Sequence, residues 1–280
     1  MQKINQFIAA KGIGLYINLL SYVFPKRAFE VAYHFFSVPR KGKLYPNNLP
    51  NLLLNAEKIK LSYNGQFDIQ TYIWKGNDDV VLLVHGWESN SNRWGKLLEI
   101  LLKTGKTIIA IDAPAHGLSS GEEFNVPTYG EFINQAVLKF NPKIAIGHSI
   151  GGNTLAYFQS HFNHNFEKMI LIGTPSDFKV ILNNYFSLLG LNTRIYNSFI
   201  HYIKKRFDIT IEDFSASNFL KTTIIPGIIV HDIDDNIVLH KEGKKIAKSW
   251  KTAEFITTKG LGHRMHDEYL YQSILTFIET

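Results

Sequence analysis

A serine, two histidines and a knot of aspartates in this 280-residue chain have the types and the order that acyl-transfer chemistry requires. Ser149 sits in Gly147-His148-Ser149-Ile150-Gly151-Gly152, after the apolar run Ile144-Ala145-Ile146 and before a helical pattern. The stretch reads as a strand, a tight turn and a helix with the serine at the apex. Small residues on both sides let the backbone turn sharply enough to hold the hydroxyl out of a sheet. A serine hydroxyl is a poor nucleophile at neutral pH unless a neighbouring base takes its proton, and that base needs a carboxylate to orient it. An acid and then a histidine are therefore expected after later strands. Both follow. Ile228-Ile229-Val230 leads into His231-Asp232-Ile233-Asp234-Asp235-Asn236-Ile237-Val238, and Phe255-Ile256-Thr257 leads toward Gly260-Leu261-Gly262-His263. Three aspartates compete for one task, and His266 competes with His263 for the other.

These residues need a scaffold that brings them to one place. Residues 57–63 and 67–74 alternate around Asn64-Gly65, a strong hairpin signal. Residues 80–85 form a continuous apolar run, as expected of a strand buried on both faces of a parallel sheet. Similar runs at 107–111, 143–146, 168–172, 225–230 and 253–257 bring the expected strands to eight. Helical patterns lie between several of them, over 94–103 and over 128–140. The second begins with Thr128-x-x-Glu131, read as a capping box, and carries Phe132, Ile133, Ala136, Val137 and Phe140 on one face. Alternation of strand and helix implies a parallel sheet whose site lies at the C-terminal edge. The interval 175–222 breaks the alternation with helical stretches rich in Phe, Ile, Leu and Tyr, expected to project as a helical cap. The domain organisation is then an N-terminal helical arm (1–56), a core (57–174 and 223–280) and the cap (175–222).

Four ordered segments make the chain from about residue 57 onward resemble the α/β-hydrolase family: His85-Gly86-Trp87 after the third strand, Asp112-x-Pro-x-His116-Gly117-x-Ser119 after the fourth, the Ser149 turn, and the acid and histidine segments. The resemblance implies a mostly parallel eight-stranded sheet flanked by helices. It also implies roles: Ser149 as nucleophile, His263, which follows Gly262, as general base, and Asp235 as the carboxylate that orients it. Asp235 fits the family pattern of His, Gly, two variable residues, Asp, two variable residues, Val; here Asp232 replaces the usual Gly. Asp232 and Asp234 then read as solvated turn carboxylates, and His266 as a helix-surface residue. The backbone amides of Trp87 and Ile150 match the family's two oxyanion donors, and Trp87 is placed to wall the acyl pocket. Ala115 stands where a glycine is common in relatives, so a tighter or differently bent turn is expected there. The implied activity is that of a serine hydrolase cleaving a carboxylic ester or related acyl bond, with an apolar small-molecule substrate and no cofactor. Acyltransferase, thioesterase and carbon–carbon hydrolase chemistry share the same groups, as does a ligand-binding protein with little turnover.

Composition excludes other classes. There is no cysteine, hence no disulfide and no thiolate nucleophile or ligand. His85, His116 and His148 at strand ends lack the accompanying carboxylates of a metal site, and the resemblance implies that each serves turn hydrogen bonds. The net charge of +6 arises wholly in residues 1–56, where seven Lys/Arg face the single acid Glu30; beyond them 23 basic and 23 acidic residues balance. A neutral body argues against a nucleic-acid partner. Residues 4–24 are apolar but interrupted by Lys11, Gly12, Gly14 and Asn18, too broken for a membrane span and without a signal-peptide cleavage pattern. Pro25 separates them from a second helical pattern. These helices are expected to pack against the protein, with a weak membrane-surface contact through their Lys and Arg as the alternative. A cytoplasmic chain, peripheral to the membrane in that alternative, is the corresponding expectation.

Overall fold

The apolar runs form one sheet because each pairs with the run that can bury its other edge. The computed structural model describes residues 2–280, with side chains from residue 7 on. Its strands are β1 (Glu57–Tyr63), β2 (Phe67–Trp74), β3 (Asn77–Val84), β4 (Lys106–Ile111), β5 (Ile144–His148), β6 (Lys168–Ile172), β7 (Gly227–Asp232) and β8 (Ala253–Thr258). Their order across the sheet is β1-β2-β4-β3-β5-β6-β7-β8, antiparallel at β1/β2 and β2/β4 and parallel elsewhere. β5 extends to His148 and β7 to Asp232, so both chemistry-bearing turns begin directly at a strand end.

The helices are α1 (Gln2–Val23), α2 (Pro25–Ser37), α3 (Asn51–Leu54), α4 (Gly95–Leu101), α5 (Val126–Phe140), α6 (Ile150–His161), α7 (Phe178–Leu189), α8 (Thr193–Phe207), α9 (Ala216–Phe219), α10 (His240–Ser249) and α11 (Glu268–Glu279). The chain divides into two compact units, one formed by Pro39–Ser176 and Ala216–Thr280, the other by the segment through Val38 together with Asp177–Ser215.

In the first unit the sheet is covered on both sides, which is why its central strands read as unbroken apolar runs rather than alternations. Val81, Leu83, Ile108, Ala110, Ile146 and Ile170 pack with Trp94, Leu97 and Leu101 of the α4 segment and with Leu270 and Ile274 of α11. The alternate residues Leu82, Ile109 and Ala145, also fully buried, turn to the opposite face. The expected capping box at Thr128 is corrected here. α5 starts at Val126, and its cap is Asn125, whose side chain accepts the Thr128 N–H at 2.8 Å. Pro127 suits the first turn because its fixed φ is already helical and its missing N–H is not needed there.

The second unit joins what reads in the sequence as two separate elements. α1 and α2 share one core with α7 and α8, built on Ile17, Ala32, Leu182, Phe186, Phe199 and Ile203. Edge-on ring contacts among Phe29, Phe36, Tyr185 and Phe199 complete it. The polar residues that interrupt the apolar run of α1 are its anchors. Lys11 Nζ donates to the Ser187 carbonyl, and Asn18 caps the turn between α7 and α8, donating to Gly190 O at 2.8 Å and accepting from Asn192 N at 2.9 Å. No described helix is long and apolar enough to cross a membrane.

Candidate active site

The turn after β5 is held by crowding. Ser149 has φ +55° and ψ −127°, a conformation that costs a non-glycine residue on the order of 1–3 kcal/mol. Its N–H donates to Ile172 O at the end of β6, and its carbonyl accepts from Gly152 N and Asn153 N, so the strained residue is tied at both ends. The strand and helix close so tightly that a side-chain carbon at Gly147 would sit 2.6 Å from Gly152 Cα. Glycine is required there because backbone, not a movable side chain, occupies the space. A carbon at Gly86 would likewise meet Ser149 Cβ at 2.9 Å, so the turn after β3 lies directly against the serine.

Around Ser149 Oγ the expected partners converge. His263 Nε2 is 3.0 Å away, and His263 Nδ1 is 2.7 Å from Asp235 Oδ2. Asp235 Oδ1 accepts the N–H groups of Ile237 and Val238, each at 2.9 Å, which orients the carboxylate toward the imidazole. His231 Nε2 approaches the same Oδ2 at 3.5 Å and bonds Val238 O at 2.8 Å. Burial opposes ionisation of Asp235, but its hydrogen bonds with His231, His263 and the Val238 amide outweigh it and hold the carboxyl well below the usual range. An ionised Asp235 only accepts hydrogen bonds, so Nδ1 of His263 carries a proton and Nε2 presents a lone pair to the serine hydroxyl. The imidazole is 19% exposed while the Asp235 side chain is fully buried, so the ring is reachable and the carboxylate beside it is dry.

The other two aspartates separate by position. Asp232 is not a solvated turn carboxylate: it is fully buried and binds the loop that carries His263. Its Oδ1 accepts from Asp234 N and Gly262 N, and its Oδ2 from Leu261 N and Thr258 Oγ1. Burial works against its charge, and those bonds overcome it, lowering its pKa. Asp234 is exposed and holds Gly260 N at 3.0 Å. Two further contacts pin the same loop: His148 Nε2 donates to the His263 carbonyl at 2.8 Å, and Arg93 donates to the Arg264 carbonyl. Asp232 and Arg93 are not expected in this role from the sequence, whereas His148 makes a turn hydrogen bond of the kind expected of it. The extra carboxylate at 232, in place of the family's glycine, was the available signal.

His266 lies before α11, not on its surface, and hydrogen-bonds Tyr271 instead of facing Ser149. Burial, with Arg93, Lys96 and Arg264 nearby, pushes its pKa down to about 4. His85 Nε2 accepts from Ala113 N at 2.9 Å and His116 Nε2 from Glu88 N at 3.0 Å, so each is a neutral ring that ties one strand-end turn to the next. Burial pushes His85 down to about 4 and His116 to about 3. Among the described residues no group of three or more His, Asp or Glu is arranged to hold a metal. Ala115 takes up the left-handed backbone itself, at φ +62°, with its N–H bonded to Ser120 O. Trp87 is half-buried, its ring edge-on to His116 and Phe124. Ile150 opens α6, where a first-turn N–H has no acceptor within the helix.

Comparison with known proteins gives the same fold. Residues 79–197 match the model of the α/β-hydrolase fold. A serine hydrolase-like protein of Homo sapiens is 36% identical over 101 residues, 34% of this chain and 49% of that one. The chain has the α/β-hydrolase fold. A serine hydrolase-like protein of Danio rerio is 31% identical over 123 residues, covering 41% of this chain and 37% of its own length. The matched region thus spans less than half of either relative. Among solved α/β-hydrolase structures, an esterase of Pyrococcus furiosus superposes with a TM-score of 0.65 at 18% identity, over 86% of this chain and 96% of that one.

Proposed function

We propose that this α/β hydrolase cleaves a carboxylic ester or related acyl bond through an acyl-enzyme on Ser149. The observation that carries the reading is the unbroken chain of hydrogen bonds from Ser149 Oγ through both nitrogens of His263 to the buried Asp235. In the first step His263 Nε2 takes the hydroxyl proton as Oγ attacks the carbonyl carbon. The imidazolium so formed is stabilised by Asp235, then gives its proton to the leaving alcohol. In the second half a water gives its proton to Nε2 as its oxygen bonds the acyl carbon; the acyl–Oγ bond then breaks as Nε2 returns that proton to Ser149 Oγ, releasing the carboxylic acid. The amides of Trp87 and Ile150 are the proposed donors to the tetrahedral oxyanion, Ile150 with added help from the positive end of α6.

An apolar acyl or aromatic group is the favoured substrate class, in keeping with the half-buried Trp87 next to Gly86 against the serine. The name of a matched relative, serine hydrolase-like protein, is in keeping with hydrolysis at a serine. Short p-nitrophenyl esters with a fluorophosphonate probe provide the test. Ester cleavage by the wild type, a fall of ~10⁴-fold or more in Ser149→Ala, and labelling at Ser149 alone are expected. Equal rates for the two proteins, or a folded wild type that refuses the probe, would overturn the reading.

A further inference from the structure

α1 carries apolar residues on more than one side, yet only one side packs within its unit. Ile17, Ser21 and their neighbours face the helical unit's own core, and Lys11 and Asn18 fasten the helix edge to α7 and the α7–α8 turn. The opposite side carries Ile8, Leu15, Tyr16, Leu19, Tyr22 and Val23, which are 54–68% exposed. At ~100° per residue these six fall within an arc of roughly 120°. Gly12, on the same arc, has no heavy atom within 4 Å of where a side chain would begin. Among the described residues no other helix carries more than one exposed large apolar residue, whereas α1 carries these six on one face.

The charges on α1 and at its C-terminal end are basic, the first acid being Glu30 in α2. Lys26 and Arg27 are exposed just beyond the end of α1, and the Arg194 guanidinium stacks 4.8 Å from the Tyr22 ring. Two tyrosines lie in the strip itself, side chains whose apolar body and hydroxyl suit a boundary between hydrocarbon and water. A second copy of the chain is a poor occupant. A two-fold contact would set the same cations near each other with no acid on α1 to pair them. α1 is also not apolar enough to cross a bilayer. We propose that the outer face of α1 lies on the surface of a lipid bilayer containing anionic lipids, its apolar strip in the acyl–headgroup boundary and its cations on the phosphate and carboxylate groups. The proposal is independent of the chemistry at Ser149.

Flotation of the full chain with vesicles of phosphatidylcholine, alone or mixed with phosphatidylserine, tests it. The wild type should float with the mixed vesicles and release in high salt. Leu15→Glu with Leu19→Glu should abolish flotation. Both positions are exposed, so unchanged thermal unfolding would show that the fold is kept. Lys26→Glu with Arg27→Glu should weaken binding by on the order of 30-fold or more, from about fivefold per cation near such a surface. A folded wild type that stays with neither vesicle, or binds both equally, overturns the proposal. So does a wild type that ignores vesicles but is a dimer that Leu15→Glu with Leu19→Glu splits, since the strip would then be an interface between copies.

Discussion

The turn after β5 and the turn after β7 stand at the same edge of one sheet and reach their geometry by opposite means. The first is steric: Ser149 is forced to a positive φ, and glycines stand where any side chain would strike backbone. The second is electrostatic: three aspartates within four residues are sorted by the donors each can reach, Asp235 to His263, Asp232 to the amides of the 258–262 loop, Asp234 to Gly260 N. A steric site tolerates no added carbon but is indifferent to charge. A hydrogen-bonded one tolerates the volume of an isosteric change but loses either function or stability, according to which donors the lost oxygen held.

The aspartate series breaks this comparison most severely. Asp235→Asn should lower ester hydrolysis by ~10⁴-fold with little loss of fold, because an amide in that place favours the wrong tautomer of His263. Asp232→Asn should instead cost stability, about 3 kcal/mol, by setting an NH₂ group against buried donors. Asp234→Asn should change stability by no more than ~0.5 kcal/mol, since its carboxylate is exposed. Steady-state kinetics and denaturant unfolding on the three variants would separate these outcomes. Comparable losses of activity at 232, 234 and 235 would show that the acid is not sorted as described.

On the steric side, Gly147→Ala should destabilise by ~1–3 kcal/mol, because the new carbon meets the Gly152 backbone and one of the two elements must shift. Unfolding midpoints in denaturant measure it, and an unchanged midpoint would mean that the turn is looser than the contact requires.

Neutral imidazoles hold the turns after β3 and β4, and they predict the pH dependence. With His85 at about 4 and His116 at about 3, the folded chain leaves both rings uncharged at pH 5. The unfolded chain, with ordinary values of ~6.5, binds those protons, so stability falls as pH drops through the window from ~6.5 toward 4. The expected loss between pH 7 and pH 5 is ~2 kcal/mol for each histidine. Stability measured against pH would contradict this by staying flat across that interval.

Much of the fold was legible because it rests on local rules. The run at residues 80–85 reads as a doubly buried strand, and Asn64-Gly65 as a hairpin in which both residues take positive φ. Rules that depend on which neighbour competes were less reliable. Thr128-x-x-Glu131 has the form of a capping box, yet Asn125 captures the Thr128 N–H first because Pro127 suits an earlier helix start. Asp232 reads as a turn residue from its neighbours, and its burial depends on a loop that arrives only after β8. The helical arm and the 175–222 insertion give no sign in the sequence that α1 and α2 share a core with α7 and α8, since apolar surface carries no address.

The residues alone determined the chain order of the strands, the position of Ser149 at the apex of a tight turn and the uneven charge of the N-terminal segment. Backbone sterics, side-chain period and composition are local properties. Only the tertiary structure decided which aspartate meets His263, what holds the histidine loop, and which side of α1 is left without a partner. Those outcomes join groups 28 residues apart at Asp235 and His263 and 114 apart at Ser149 and His263. At such separations distance and burial choose the partner, and both exist only once the chain has folded.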